Sequence, residues 1–274
     1  MCVPGCMETV ARRLSRRGFF KGAGAAAVGL ASFQAFAPPR PAQAEPMRFS
    51  GVVDLTHPIV EDFPTFFGTN QLEIEKMYGF EKDGFNVNRW HLVEHTGTHM
   101  DAPLHFSRDG NSAADVPTDQ LVVPLAVIDV KTQAAENPDY QVTPADLEAW
   151  EAANGKLPQG GCIAMNSGWG QYATSDKFRN ADADGKMHFP GFGIEATKMA
   201  MERGLVGLAV DTLSLDYGLS TDFATHYAWL PSGRWGMEAV ANLDDVPAAG
   251  ATLVVGAPKI VGASGGPSRL FALV

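Results

Sequence analysis

Four of the chain's seven histidines fall between residues 91 and 105, and three of these share one short segment with an aspartate. That segment runs His95, Thr96, Gly97, Thr98, His99, Met100, Asp101, Ala102, Pro103, Leu104, His105. His95, His99 and Asp101 offer imidazole nitrogen and hard carboxylate oxygen, a donor set suited to a divalent ion such as zinc or manganese. On a helix His95 and His99 share a face, while Asp101 points about 120° or more away. In a straight strand all three share a face, but the two histidines stand roughly 13 Å apart. A bend at Gly97, between the histidines, removes the difficulty. Pro103 then stops the segment from continuing as a helix or a central strand. The expectation is a strand that turns into a loop and carries its ligands at the bend. His105, four residues past Asp101, is either a further ligand or an unligated base able to move protons at neutral pH.

The elements that must position this segment follow from the surrounding pattern. Residues 85–93 alternate in part and read as a strand leading into it. Residues 125–130 and 162–165 read as buried strands. Thr143 and Pro144 open a helix as N-cap and first-turn proline, with Asp146 near its positive end, and Gly155 closes it. A second helix over 194–203 stops at Gly204 and feeds an apolar strand over 205–210. Residues 252–255 and 270–274 read as closing strands. The mixture indicates a single α/β domain with a mixed β-sheet and flanking helices. No repeat or linker composition interrupts it after residue 45.

The first forty-four residues read differently. Arg16 and Arg17 precede Phe19, Phe20 and Lys21, a weakly apolar Ala/Gly-rich run follows, and Ala42 and Ala44 flank Gln43. Charged start, apolar middle and small-residue end are the parts of a removable export signal, and the arginine pair resembles a twin-arginine signal. Removal after Ala44 leaves a domain of residues 45–274 with 15 basic against 30 acidic side chains, a net charge of −15. Such a surface argues against nucleic acid and anionic membranes as partners. Cys162 is then the one remaining cysteine, so no internal disulfide forms, and its apolar setting marks a buried, inert thiol. The expected location is the periplasm or beyond.

The histidine segment resembles the signature H-x-G-T-H-x-D-x-P-x-H of the cyclase family of metal-dependent hydrolases, which includes bacterial kynurenine formamidase and isatin hydrolase. The stretches Asp54–Ile59, Phe63–Phe66 and Asp211–Asp216, residues 238–247 and the last thirteen residues extend the likeness over nearly the whole exported domain. The resemblance implies a swivelling β/α/β-like fold and hydrolysis of a small amide, N-formyl amide, or cyclic imide or lactam. It implies that His95, His99 and Asp101 bind a first ion, with Asp101 also bridging where a second is present. It further implies that His226 and Glu238 complete a binuclear site and that His105 is the catalytic histidine. Ala239-Val240 follows Glu238 where the family commonly has Asn-Leu, and Phe66-Phe67 stand where a Trp-Pro pair is common, which bears on substrate choice.

Phe66, Phe67 and Trp169 are candidate pocket walls for a flat substrate. His57, His91 and His188 read as packing or loop residues. No G-x-S-x-G motif supports a serine nucleophile. A metal-dependent binding protein without turnover is the competing class, and His105 beside a full ligand set argues against it. The expected partners are a small-molecule amide and a second copy of the chain, as a homodimer or higher homo-oligomer.

Overall fold

The computed structural model describes residues 49–274, so the expected export signal lies outside the described residues. Three central strands, β5 (Val122–Asp129), β7 (Cys162–Asn166) and β9 (Gly207–Val210), run parallel and are almost wholly apolar. A parallel strand covered on both faces needs such a continuous run. Alternate side chains go to opposite faces. Leu125, Val127, Cys162 and Ala164 join one core, while Ala126, Ile128, Ile163 and Met165 join the other. The second core is closed by helices Pro144–Asn154 and Ile194–Glu202, through Leu147, Trp150, Ala196 and Ala200. The first helix starts as expected: Thr143 accepts from the Asp146 amide, and the Asp146 carboxylate accepts from the Thr143 amide at 2.7 Å.

The first core is closed by the sheet itself. Its nine strands also include β1 (Val52–Asp54), β4 (His99–Asp101), β10 (Trp235–Glu238), β11 (Ala251–Gly256), β12 (Gly265–Pro267) and β13 (Arg269–Leu273), in the order β1-β13-β11-β5-β7-β9-β10-β4-β12. β12 sits at one end of that order and β13 near the other, yet only Ser268 separates them in the chain. The sheet must therefore curl until its two ends meet. The result is one mixed α/β domain built on a curled mixed sheet. The expected strands and helices are all present, with ends shifted by a few residues.

Two features depart from expectation. The strand entering the histidine segment, β3 (Val87–Leu92), pairs among the described residues only with β2 (Leu72–Tyr78), as an antiparallel hairpin outside the main sheet. Past Gly97 the chain does not become a loop but enters β4, held between β10 and β12. Pro103 acts later, opening a short 3₁₀ turn over Pro103–Phe106. The two neighbouring strands supply hydrogen-bonding partners that local sequence could not reveal.

Candidate metal centre and active site

β4 and β10 build the centre. In β4, Met100 points into the first core, so His99 and Asp101 share the opposite face. Antiparallel pairing sets Glu238 across from His99 and Gly236 across from Asp101. Gly97, at φ +66°, turns the chain so that His95 comes back over the same face, and its Nδ1 lies 2.7 Å from Asp101 Oδ1. His226 arrives from the short helix Ala224–Trp229, with Nε2 3.2 Å from Glu238 Oε1 and 3.6 Å from Asp101 Oδ2. His99 Nε2 lies 3.4 Å from Asp101 Oδ1 and 3.3 Å from Glu238 Oε2. Two ligand-competent groups result, His95–His99–Asp101 and Asp101–His226–Glu238, and they share Asp101. All five expected ligands are thus together.

The cluster fits a cation. Asp101 is fully buried and Glu238 is 6% exposed, so two negative charges stand in a low-dielectric setting where isolated ions are costly. Asp101 Oδ2 and His99 Nε2 have no hydrogen-bond partner. Burial depresses the His99 imidazole, yet Asp101 and Glu238 outweigh it and hold His99 up at about 10. Burial likewise depresses His226, but Asp101, Asp216 and Glu238 hold it well above its ordinary value. The carboxylates are drawing positive charge onto the imidazoles, the role a divalent ion takes over when it binds. Space is reserved as well. Gly236 and Gly265 pair with Asp101 from the two flanking strands. A Cβ at Gly236 would stand 3.2 Å from Asp101 Oδ2, and one at Gly265 would stand 2.7 Å from His95 Cε1.

Supporting groups orient the imidazoles. His99 Nδ1 donates to the Gly97 carbonyl at 2.8 Å, which turns Nε2 toward the carboxylates. Asp216 accepts from His226 Nδ1 at 2.6 Å and from the amides of Thr225 and His226, fixing that ring in the same sense. His95 Nε2 lies 2.9 Å from Ser264 Oγ, which in turn donates to Glu94. Asp216, Ser264, Glu94 and the two glycines had no assigned role in the sequence reading. Ser264 and Gly265, within the last thirteen residues, and Asp216, at the end of the Asp211–Asp216 stretch, lie in segments that carry the family likeness, whereas Glu94 and Gly236 do not. Asp211, at the other end of that stretch, belongs elsewhere. It accepts from the Ser167 and Trp169 amides and from the Ser167 hydroxyl, and burial pushes it up to about 6.

His105 lies beside the cluster rather than in either ligand group. Its ring stacks on His95 with centroids 3.8 Å apart, and burial, with smaller charge effects, lowers it to about 4. It is therefore neutral at pH 7, with one ring nitrogen unprotonated. The cavity in front measures about 340 Å³ and is lined by His95, His99, His105, His226 and Glu238, with Phe66, Phe67, Phe106 and Phe223 as aromatic walls. Trp169, expected on this wall, is not there. It is buried with Phe63 and Phe178, and its indole donates to the Phe178 carbonyl. His57 packs against the same two phenylalanines, His188 bonds Asp139, and His91 is exposed beside Glu75. Cys162 is buried and its thiol is pushed up, consistent with an inert role.

A curled mixed sheet presenting a carboxylate-centred imidazole cluster at the back of an aromatic cavity defines a metal-site enzyme of the α/β class. The chain belongs to the cyclase family: residues 53–217 match the family described as "Putative cyclase". It is 33% identical to isatin hydrolase of Roseibium aggregatum over 82% of this chain and 90% of that protein. It is 29% identical to kynurenine formamidase of Salinibacter ruber over 69% of this chain and 80% of that protein. The solved structure of an isatin hydrolase bound to the product analogue thioisatinate superposes with a TM-score of 0.77 at 31% identity, covering 81% of this chain and 92% of the other.

Proposed function

We propose that this chain, a metal-dependent hydrolase of amide bonds other than peptide bonds, opens the ring of a small cyclic amide of the isatin type, with N-formyl aromatic amides as the related alternative. His95, His99, Asp101, His226 and Glu238 hold one or two divalent ions, zinc or manganese. His105 carries the proton. The observation behind this reading is an imidazole outside both ligand groups, stacked on one candidate ligand and facing the same cavity. The ion, when bound, polarises a carbonyl and lowers the pKa of water toward about 7.

The chain's own groups do the rest. His105 takes a proton from the water that adds to the carbonyl carbon. It returns that proton to the nitrogen as the C–N bond breaks, leaving an amine and a carboxylic acid that loses its own proton to solvent. The four phenylalanines sandwich a flat ring and exclude bulk water, and a cavity of about 340 Å³ suits a small bicyclic molecule. Export favours the cyclic amide, since an external ring amide meets an exported enzyme whereas breakdown of an amino-acid derivative belongs in the cell. We place the working enzyme in the periplasm, delivered by the twin-arginine route.

His105→Ala is expected to lower turnover of cyclic and formyl amides by about 10²-fold or more while metal content stays near that of the parent. His99→Ala is expected to lose metal and activity together. Turnover assays with elemental analysis decide the matter. A His105→Ala protein that emerges without metal would make His105 a ligand and remove the proton-carrier role.

A further inference from the structure

The imidazoles of the cluster do not all face it in the same way. His99 Nδ1 donates to the Gly97 carbonyl and His226 Nδ1 to Asp216, so both rings turn Nε2 toward Asp101 and Glu238. His95 is reversed. Its Nδ1 lies 2.7 Å from Asp101 Oδ1, and its Nε2 points away, 2.9 Å from Ser264 Oγ.

Glu94 decides which way the hydrogen bonds run. An ionised carboxylate only accepts, and Glu94 Oε2 takes both the Ser264 amide, at 3.1 Å, and the Ser264 hydroxyl. With its proton committed to Glu94, the hydroxyl can only accept from His95, so Nε2 carries a hydrogen. That leaves Nδ1 facing Asp101 Oδ1, where two bare lone pairs would repel. Only a proton or a metal ion can lie between them. The serine is fixed in its turn: its carbonyl accepts from the Ala102 amide at 2.8 Å, directly after β4, the strand that carries His99 and Asp101. The next residue makes room for the ring, since a Cβ on Gly265 would stand 2.7 Å from His95 Cε1, the carbon between the two nitrogens.

We infer that Ser264 and Glu94 are positioning residues that make His95 a metal ligand through Nδ1, whereas His99 and His226 bind through Nε2. The inference rests on the metal site proposed above. A hydrogen-bonded carboxylate behind a ligating imidazole fixes its tautomer and raises its basicity, and here the hydroxyl of Ser264 passes that effect from Glu94 to His95. The consequence reaches the proton carrier. The His105 ring stacks on His95 with 3.8 Å between centroids and 23° between planes, so a His95 ring free to turn would carry His105 with it.

Long-range proton–nitrogen NMR of the zinc-loaded full chain, made with isotope-labelled histidine, reads the tautomer of each ring. His95 is expected to hold its proton on Nε2, the opposite of His99 and His226, which hold theirs on Nδ1. Ser264→Ala is expected to abolish that preference and to weaken zinc binding by about 10-fold or more in competition with a fluorescent chelator. Ser264→Thr keeps the hydroxyl and is expected to restore both. A zinc-loaded wild type with the His95 proton on Nδ1 would overturn the inference and leave the metal site standing. A wild type that takes up no zinc would remove the metal site itself, and the inference with it. A Ser264→Ala protein with the parent's tautomer and affinity would show that other contacts orient the ring, and the positioning role would fall. Should the variants fail to fold, the wild-type spectrum decides alone.

Discussion

Asp101 is the residue on which the centre turns, because it alone belongs to both ligand-competent groups and is held between two glycines. Its neighbours in sequence made it conspicuous. His95, His99 and Asp101 are legible from type and spacing, since a metal site needs several donors close together and the chain supplies three within seven residues. His226 and Glu238 came only from family resemblance, and their isolation in sequence explains why. Asp216 shows what such a reading misses. Its two oxygens accept three hydrogen bonds, including one from His226 Nδ1. Asp216→Asn keeps the size but puts an amide donor where an acceptor is needed. The His226 ring is then expected to switch its proton to Nε2, the atom facing Asp101 and Glu238. Metal affinity should fall about 10–100-fold. Competition against a fluorescent chelator measures it, and unchanged affinity would mean that Asp216 merely caps the helix.

Between residue and fold stands the strand–bend–strand unit from β3 to β4. Spacing marks Gly97 as the hinge, which its φ of +66° bears out, but predicts a loop where the chain forms β4. The error has a physical origin: β4 is three residues long and survives because β10 and β12 bond it from both sides. Nothing within residues 99–101 announces those partners. Gly97 also explains its own identity. At φ +66° an L side chain is strained, and a Cβ there would meet Ile59 Cγ1 at 2.6 Å. Gly97→Ala is expected to destabilise the fold by about 1–3 kcal/mol, as residues forced into such backbone regions do. Urea denaturation gives that value, and a variant as stable as the parent would show that the bend relaxes freely. The same variant should carry less metal, because His95 swings on this hinge.

For the molecule as a whole, the centre ties together segments that the chain keeps far apart: β4, the helix Ala224–Trp229, β10, and Ser264 ahead of β12. A bound ion would therefore cross-link the curled end of the sheet, where without it only the protonated imidazoles balance the buried carboxylates. With ion at 100 times its Kd the contribution is about 2.7 kcal/mol, so chelation should lower Tm by about 5–10 °C. Differential scanning calorimetry with and without chelator reads this, and an unchanged Tm would mean that the ion is held without coupling to the fold. The proposed export rests on residues outside the described fold. Arg16→Lys with Arg17→Lys preserves charge but not the planar guanidinium fork, and is expected to leave folded, active precursor in the cytoplasm. Cell fractionation with an activity assay checks it. Undiminished delivery to the periplasm would exclude a receptor that reads the arginine pair.

The sequence by itself determined the mixed α/β class, the main buried strands, both capped helices and the chemistry of the histidine segment. Each of these rests on local information: apolar runs for strands covered on two faces, a Thr-Pro-x-Asp cap, and donor types at short spacing. Tertiary structure alone decided which distant groups join them. The curl that brings β12 beside β4 places Gly265 next to Asp101, and the register of β10 on β4 puts Glu238 opposite His99. The packing of Trp169 away from the cavity, and the bare face of the β2–β3 hairpin, were likewise invisible beforehand. An aromatic side chain reads the same in a core, on a cavity wall or at an interface. Only long-range strand pairing, which depends on the whole core, assigns it to one of them.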